Sequence, residues 1–345
     1  MSGGCLELDL CGRAAATLSG GEAVVVVYDL SAENDIVWGL GLGCGGEVHV
    51  LIERLPESPD QSHLQFARLR LENRERIVQA TVFGRDSHNP GAPDIRPGGR
   101  FSLASGGLTR CDVRSAQIRT LLDRDARRVL NSERSAVRSY ALGKQKMEVF
   151  YEFIEPPLSL LICGADEESR ELVAIAVRLG WTATVIDHRP SRAAPERFPG
   201  ANRVFHWRPG KSQAPVEVDR RTAVVVLSHN YRADLEYLQA FLRSDAGYIG
   251  LLGARERAKR LINDLPSEID SDSGQALSRV FSPIGIDIGA DTPEEIALSI
   301  AAEIQAVFSG RKAGFLRDRK APIHSSIDFE EEICVSKGIL EHTTE

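Results

Sequence analysis

The first part of the chain has the hydrophobic pattern of short strands separated by turns. Alternating apolar and polar positions predict strands at 22–30, 47–55 and 76–85. One helical stretch is predicted at 62–74, and the segment 87–100 is rich in proline and glycine, which predicts a loop. The polar run 119–136 is predicted to lie on the surface. Up to residue 155 the sequence therefore predicts a β-rich α+β domain.

The pattern changes after Pro156 and Pro157, which exclude a helix and mark the start of a new unit. Short apolar runs, predicted as strands, lie at 158–163, 182–187, 203–207, 222–228 and 247–252. Amphipathic helices between and after them are predicted at 168–180, 232–244 and 255–264. This alternation predicts a Rossmann-like doubly wound α/β domain with a parallel sheet covered on both faces.

The predicted organisation is a domain at 1–155, a domain at 156–312 and a tail at 313–345. The end of the second domain is marked by a capping box, in which Thr292 and Glu295 flank a proline at the first helical position. That helix is predicted to continue through Phe308 and to end at Gly310. The acidic and polar tail is expected to wrap around the protein or to be partly mobile.

Composition narrows the class of protein without naming a function. The chain has 345 residues, a net charge of −7 and six scattered cysteines without C-x-x-C spacing. The acidic balance argues against nucleic acid or an anionic membrane as partner, and no apolar run is long enough for a membrane span. The N-terminal MSGGCLELDL lacks the features of a signal peptide, so we expect a reducing, cytoplasmic setting and no metal site of locally spaced cysteines.

A glycine-rich stretch at 39–46 encloses Cys44 and matches the G-x-G-x-x-G pattern of dinucleotide-binding loops. Such a loop needs a helix after it, but residues 47–55 have a strand pattern, so the nucleotide interpretation fails. Two interpretations stay open. Cys44 is a small buried residue of a glycine-rich hairpin, or it is a thiol activated by the backbone N–H groups of Gly43, Gly45 and Gly46. Cys5 also follows paired glycines, which favours the second interpretation.

Seven motifs stand out along the chain. They are SGGCLE at 2–7, GLGCGGEVHVLIE at 41–53, LGWTATVIDHRP at 179–190, RFPGA at 197–201, SHNYRADLEYL at 228–238, YIGLLGARERAKRL at 248–261 and PIGIDIGADTPEEIALSIAAEI at 283–304. Together these motifs resemble the XdhC/CoxI family of accessory proteins, which mature molybdenum hydroxylases such as xanthine dehydrogenase and carbon monoxide dehydrogenase. Residues 56–150 match the family only loosely. Family members usually carry a stretch before S-G-G-C, so we expect a shortened N-terminus or a divergent equivalent within 75–105.

The resemblance implies a protein that binds the molybdenum cofactor, a pterin dithiolene with a phosphate tail, and delivers it to an apo molybdenum hydroxylase. Family proteins are also associated with sulfuration of that cofactor, and the expected assembly is a homodimer. Cys44 is the first candidate for a thiol near the metal and Cys5 the second, since soft sulfur ligands suit such chemistry. The alternative is an NAD(P)-dependent oxidoreductase that uses the Rossmann-like domain.

Candidate binding residues in the second domain lie at the predicted carboxyl ends of the strands, where ligands of open α/β sheets bind. They are Gly164, Asp187, His188, His229, Asn230, Gly253 and Arg255. Asp187 has the position of a ribose-binding carboxylate or of a residue that caps the turn before Arg189. Asn230 and His229 line the cleft, or Asn230 caps the next helix while His229 packs against it.

The first βα turn departs from the family pattern. The family usually reads G-A-G there, and this chain has Asp166 in place of the second glycine. A carboxylate there opposes a pyrophosphate, so we expect weak NAD(P) binding.

Overall fold

The structure, a computed structural model, describes residues 5–20, 23–29, 47–55, 62–85, 96–142, 145–210, 214–266, 276–321 and 328–334. The chain divides into two compact units. The first comprises Met1–Pro156 and His324–Glu345, and the second comprises Pro157–Ile323. Among the described residues, no helix combines the length and the apolar character needed to cross a bilayer.

The first unit contains a six-stranded sheet and a separate antiparallel pair of strands. Its elements are α1 (Cys5–Gly20), β1 (Val24–Asp29), β2 (Glu47–Ile52), α2 (His63–Glu72), β3 (Ile77–Arg85), β4 (Arg100–Ala104), β5 (Thr109–Cys111), α3 (Ala116–Ser132), β6 (Ala136–Leu142), β7 (Gln145–Ile154) and, from the end of the chain, β14 (Asp328–Cys334). The order in the larger sheet is β14-β6-β7-β3-β4-β5, and β1 pairs with β2. The prediction of a β-rich domain is confirmed.

One face of the larger sheet packs on α3, and the prediction of a surface segment at 119–136 was wrong. Helix α3 buries one stripe of side chains, which are Ile118, Leu121, Leu122, Asp125, Ala126 and Val129. The helix is strongly amphipathic because its arginines alternate with this stripe at helical spacing. The stripe meets apolar side chains of β3, β4, β6 and β7 in one hydrophobic cluster.

Part of the predicted C-terminal tail is a strand. Residues 328–334 form β14, which pairs in parallel with the edge strand β6. Phe329 lies opposite Val137 and Ile333 opposite Tyr140 in that register. The segment therefore extends the sheet of the first unit, although it follows the second unit in sequence.

The second unit is a parallel sheet between helices, as predicted. Its elements are β8 (Ser159–Cys163), α4 (Glu167–Arg178), β9 (Thr182–Asp187), β10 (Arg203–His206), β11 (Thr222–Val226), α5 (Tyr231–Leu242), β12 (Tyr248–Leu251), α6 (Arg255–Asn263), β13 (Val280–Phe281) and α7 (Pro293–Phe308). The strand order is β10-β9-β8-β11-β12-β13, with all strands parallel. From β8 the chain adds strands toward one edge as far as β10, and from β11 it adds them toward the other edge, so the switch point lies between β8 and β11. A crevice forms at such a switch point, outside the carboxyl ends of the strands.

Alternate residues of the central strands explain why both faces of this sheet are covered. Leu160 and Ile162 of β8 belong to the cluster that packs on α4 and α7, whereas Leu161 and Cys163 belong to the cluster that packs on α5 and α6. The fully apolar strands thus bury both faces, which is the behaviour expected of a doubly wound sheet. The predicted capping box at Thr292 and Glu295 is present at the start of α7.

Candidate functional site

The candidate residues of the second unit lie where the parallel strands end. Gly164 follows β8, Asp187 ends β9 and His188 follows it. His229 and Asn230 lie between β11 and α5, while Gly253 and Arg255 lie after β12, with Arg255 as the first residue of α6. These positions follow from the strand order, which brings the turn after β8 next to the loop after β11.

Gly164 is required by close packing of backbone against backbone. Its φ is +134°, and a Cβ at this position would lie 2.6 Å from the carbonyl oxygen of Leu227, in the loop after β11. Its N–H donates to the carbonyl of Ile186 at 2.8 Å. The turn after β8 therefore lies directly against β9 on one side and against the loop after β11 on the other. Glycine is the residue that fits there.

Asp187 is fully buried, and Arg189 occupies both of its carboxylate oxygens. The Arg189 backbone N–H and Nε donate to Oδ1 at 2.7 and 2.9 Å, and Nη2 donates to Oδ2 at 2.8 Å. The backbone contact is the turn cap that the sequence left open as an alternative to ribose binding. A ribose hydroxyl would have to displace a bidentate guanidinium from this carboxylate.

Arg189 also reaches the first βα turn. Its Nη2 donates to Asp166 Oδ2 at 3.0 Å, and Arg192 Nη1 donates to Asp166 Oδ1 at 3.1 Å. Asp166 is therefore paired with two arginines, a feature that the sequence did not predict. The arginines offset its charge, and they lie together with both carboxylates at the place where a Rossmann fold receives the pyrophosphate and ribose.

The pKa of Asp187 is set by two opposed effects. Burial raises the pKa of this carboxyl, while hydrogen bonds and attraction from Arg189 lower it by more, so that the net pKa lies below its ordinary value. The hydrogen bonds to Asp187 also raise the pKa of Arg189 above its ordinary value. The pair thus stays ionised near neutral pH. His188 lies beside it, with Nδ1 3.5 Å from Asp187 Oδ1.

Asn230 caps helix α5, since its side-chain oxygen accepts from the Ala233 N–H at 3.0 Å. This contact matches the capping alternative for Asn230, and the cleft role of the residue stays a prediction. The same alternative expected His229 to pack against the helix, but its side chain is 52% exposed. Its φ is +55°, and Nε2 lies 3.6 Å from Glu168 Oε2. His229 thus approaches α4 across the switch point.

The sequence also failed to single out Arg257, which contacts a buried carboxylate in the first turn of α5. Arg257 Nη2 donates to Asp234 Oδ2 at 2.7 Å, and Ser228 Oγ donates to Asp234 Oδ1 at 2.5 Å. Arg255, the predicted residue, is exposed at the start of α6. The two arginines lie two positions apart at the helix start, so they point in different directions, and the sequence alone could not tell which one turns inward.

The predicted residues of the first unit are only partly within the described chain. Cys5 is the first residue of α1. Cys44, Gly43, Gly45 and Gly46 lie outside the described residues. The element that follows them is β2, which confirms the expected strand and excludes the helix that a dinucleotide loop requires. In the part of the chain that the structure describes, no group of three or more His, Cys, Asp and Glu side chains is arranged to hold a metal ion.

We expect NAD(P) to bind this chain weakly, and Asp166→Gly to strengthen that binding at least about tenfold. The substitution removes a carboxylate and releases Arg189 and Arg192 for a phosphate. Calorimetric titration of both forms measures the change. Glu167→Gln is the control, since Glu167 is exposed and pairs with Arg170. Tight binding by the unmodified chain would contradict the expectation. No gain in Asp166→Gly would mean that the Asp187–Arg189 contact alone excludes the nucleotide.

Comparison with known proteins agrees with this fold. Residues 160–304 match the XdhC Rossmann domain. Over 304 residues the chain is 28% identical to a probable xanthine dehydrogenase subunit of Bacillus subtilis, a match that covers 88% of this chain and 82% of that protein. It is 25% identical over 155 residues to the molybdenum cofactor insertion chaperone PaoD of Escherichia coli, covering 44% of this chain and 41% of PaoD.

A solved structure gives the same result. The crystal structure of a xanthine dehydrogenase from Bacillus halodurans superposes with a TM-score of 0.68 and 26% sequence identity. The superposition covers 90% of this chain and 83% of that chain. The resemblance carried by the sequence motifs is thereby confirmed: residues 160–304 of this chain match the XdhC Rossmann domain.

Proposed function

We propose that this protein is a maturation factor that binds the molybdenum cofactor as cargo and delivers it to a molybdenum hydroxylase of the xanthine or carbon monoxide dehydrogenase type. The observation that carries the proposal is the similarity to PaoD, which is named a molybdenum cofactor insertion chaperone. The xanthine dehydrogenase relative supports the same class of client. The proposal includes assistance with sulfuration of the cofactor, a cytoplasmic setting and a homodimer.

The geometry of the Rossmann domain argues against the alternative of an NAD(P)-dependent oxidoreductase. Such an enzyme needs the carboxylate at the end of its second strand for the ribose and an open first turn for the pyrophosphate. Here Asp187 accepts hydrogen bonds from Arg189 on both oxygens, and Asp166 accepts from two arginines. The carboxylates at the nucleotide position are thus already paired with arginines, which favours the maturation factor over a nucleotide-dependent oxidoreductase.

The proposal is tested by purifying the full chain from a host supplied with molybdate. Oxidation of the released ligand converts a pterin into a fluorescent product, which is measured against a calibrated standard. We expect pterin fluorescence in proportion to protein, and activation of an apo molybdenum hydroxylase by the loaded protein. Bound NAD(P) without pterin would overturn the proposal in favour of the oxidoreductase.

We expect Cys44→Ala to abolish retention of the cofactor while it leaves thermal stability nearly unchanged. The proposed thiol contacts the metal end of the cargo, and Cys5 is the second candidate for that role. Pterin content per protein is the measurement. Cys11→Ala is the control, since Cys11 is an exposed cysteine of α1. Normal pterin content together with a loss of several kcal/mol in stability would instead identify Cys44 as a core residue.

A further inference from the structure

A cavity of about 380 Å³ lies in the first unit. Strands β1 and β2 form one side, and β3, β7 and the segment before β4 form the other. The residues that line it are Val25, Val27, His49, Phe83, Gly84, Pro97, Lys146 and Glu148. Its volume is within the range of small-molecule sites, and its walls combine apolar side chains with polar ones in similar measure.

The two sides of this cavity are held in place by an ion pair. Glu53, just after β2, accepts hydrogen bonds from both Nη atoms of Arg100 at the start of β4. Arg100 is 9% exposed and its side chain also donates to the carbonyl of Gly98, so this tie is largely shielded from water. A bidentate, partly buried pair fixes distance and orientation together. The cavity is therefore built into the unit rather than formed by loose surface side chains.

The polar groups of the cavity have a defined arrangement. Glu148 lies opposite Gly84 in the β3–β7 register, next to an irregularity in β3 between Val82 and Gly84. A Cβ on residue 84 would lie 2.1 Å from Glu148 Oε2, so glycine leaves the space that the carboxylate occupies. Lys146 Nζ lies 3.0 Å from Glu148 Oε1. Two acceptor oxygens and one cationic donor thus stand side by side on the β7 wall of the cavity.

Aromatic side chains complete the site. The rings of His49 and Phe83 meet edge to face, with centroids 5.6 Å apart and an interplanar angle of 80°. Phe83 is half-buried, and Val25 and Val27 line the cavity from the facing strand. Flat apolar and aromatic walls accept the face of a planar ring, while the polar groups read the edge of that ring.

We propose that this cavity binds a heterocycle with a 2-amino-4-pyrimidinone edge. Such an edge presents an amino group, a ring N–H and a carbonyl in a row, and the order donor, donor, acceptor is complementary to the two oxygens of Glu148 and the ammonium of Lys146. Pterins and guanines share this edge. The assignment to the pterin rests on the proposed function, because the cargo of that function contains a pterin.

The test uses free ligands and the full chain without any client enzyme. 6-Hydroxymethylpterin, GMP and AMP are titrated by fluorescence or calorimetry, and AMP is the negative probe because adenine lacks the carbonyl and N–H of this edge. We expect saturable binding of the pterin, weaker binding of GMP and no binding of AMP. Glu148→Gln will weaken pterin binding at least about tenfold, because one of two paired acceptors is lost.

Matched variants separate recognition from folding. Glu152→Gln alters an exposed carboxylate further along β7 on the same face and should leave binding unchanged. Gly84→Ala keeps every polar group but displaces the Glu148 carboxylate, so it should weaken binding as well. Each variant is accepted only if its circular dichroism and unfolding midpoint match those of the unmodified chain.

Several outcomes would overturn the proposal. Absent pterin and GMP binding, equal binding of AMP, or undiminished binding by Glu148→Gln would each remove the assignment. Binding of GMP but not of the pterin would mean that the cavity binds guanine nucleotides, which contradicts the assignment to the pterin. Co-purified molybdenum cofactor without free-pterin binding would leave the proposed function intact and place its ligand elsewhere, whereas free-pterin binding without co-purified cofactor would contradict the proposed function alone.

Discussion

Gly164→Ala will destabilise the second unit by about 3 kcal/mol or more. A φ of +134° is unfavourable for any residue with a Cβ, and the added atom would lie 2.6 Å from the Leu227 carbonyl oxygen and 2.8 Å from the Ser228 nitrogen. Both are backbone atoms in the loop directly after a central strand, so they cannot move aside as a flexible side chain would. Urea unfolding of the full chain, followed by fluorescence of the buried Trp181 and Trp207, measures the loss.

Gly180→Ala is the matched control for this substitution. Gly180 follows α4 with a φ of +74°, but no atom lies within 4 Å of its added Cβ. It should lose about 1 kcal/mol for the left-handed backbone alone. The difference between the two variants therefore isolates the backbone overlap at Gly164. If Gly164→Ala unfolds at the same urea concentration as the unmodified chain and instead loses a ligand, the glycine serves binding rather than packing.

Most of the second unit could be predicted because its signals are local. The apolar run at 182–187 is β9 at the same residues, and the helix predicted at 168–180 is α4 at Glu167–Arg178. Fully apolar strands, helical spacing and the Thr292 capping box each depend on neighbours within a few residues. Such features can be recognised in the sequence without knowledge of the rest of the fold.

The errors in the first unit have a different origin. Strand β14 pairs with β6, far away in sequence, and no local pattern marks which strand accepts an added edge. The segment 119–136 is rich in arginine, so it reads as solvent-exposed, yet long arginine side chains can surround a buried stripe. Asp125 lies inside that stripe, fully buried, which composition could not reveal.

The candidate site shows the same division. Strand ends were predicted, so Asp187, His229 and Asn230 were placed on the correct edge of the sheet. What a side chain contacts there depends on the path of the following loop. Arg189 lies two residues after Asp187, and its second contact to Asp166 needs the turn after β8 to lie beside the turn after β9. That contact becomes visible once the strands are paired.

Asp125→Ala will destabilise the first unit by about 3 kcal/mol or more, because it removes the centre of a buried polar network. The Tyr140 hydroxyl donates to Asp125 Oδ2 at 2.8 Å, and the Tyr151 hydroxyl lies 2.6 Å from that of Tyr140. Arg138, whose side chain is 6% exposed, lies 3.6 Å from Oδ1. Both tyrosines are fully buried, so loss of the carboxylate leaves the Tyr140 hydroxyl without its acceptor. Urea unfolding followed by circular dichroism measures the loss.

Asp123→Ala on the same helix is the control, since Asp123 is one third exposed and pairs with Arg127 at the surface, where such pairs contribute about 0 to 1 kcal/mol.

Acid titration gives a second measurement of the contribution of Asp125. Burial raises the pKa of Asp125, and hydrogen bonds from Arg124 and Tyr140 outweigh it, so the pKa in the folded chain lies below its ordinary value of 3.8. The unfolded chain then takes up the proton first, and the stabilisation present above pH 3.8 is lost as the pH falls through the lower folded pKa. Asp125→Asn should therefore show a shallower fall in stability below pH 4 than the unmodified chain, whereas an identical acid profile would mean that Asp125 is not ionised in the folded protein.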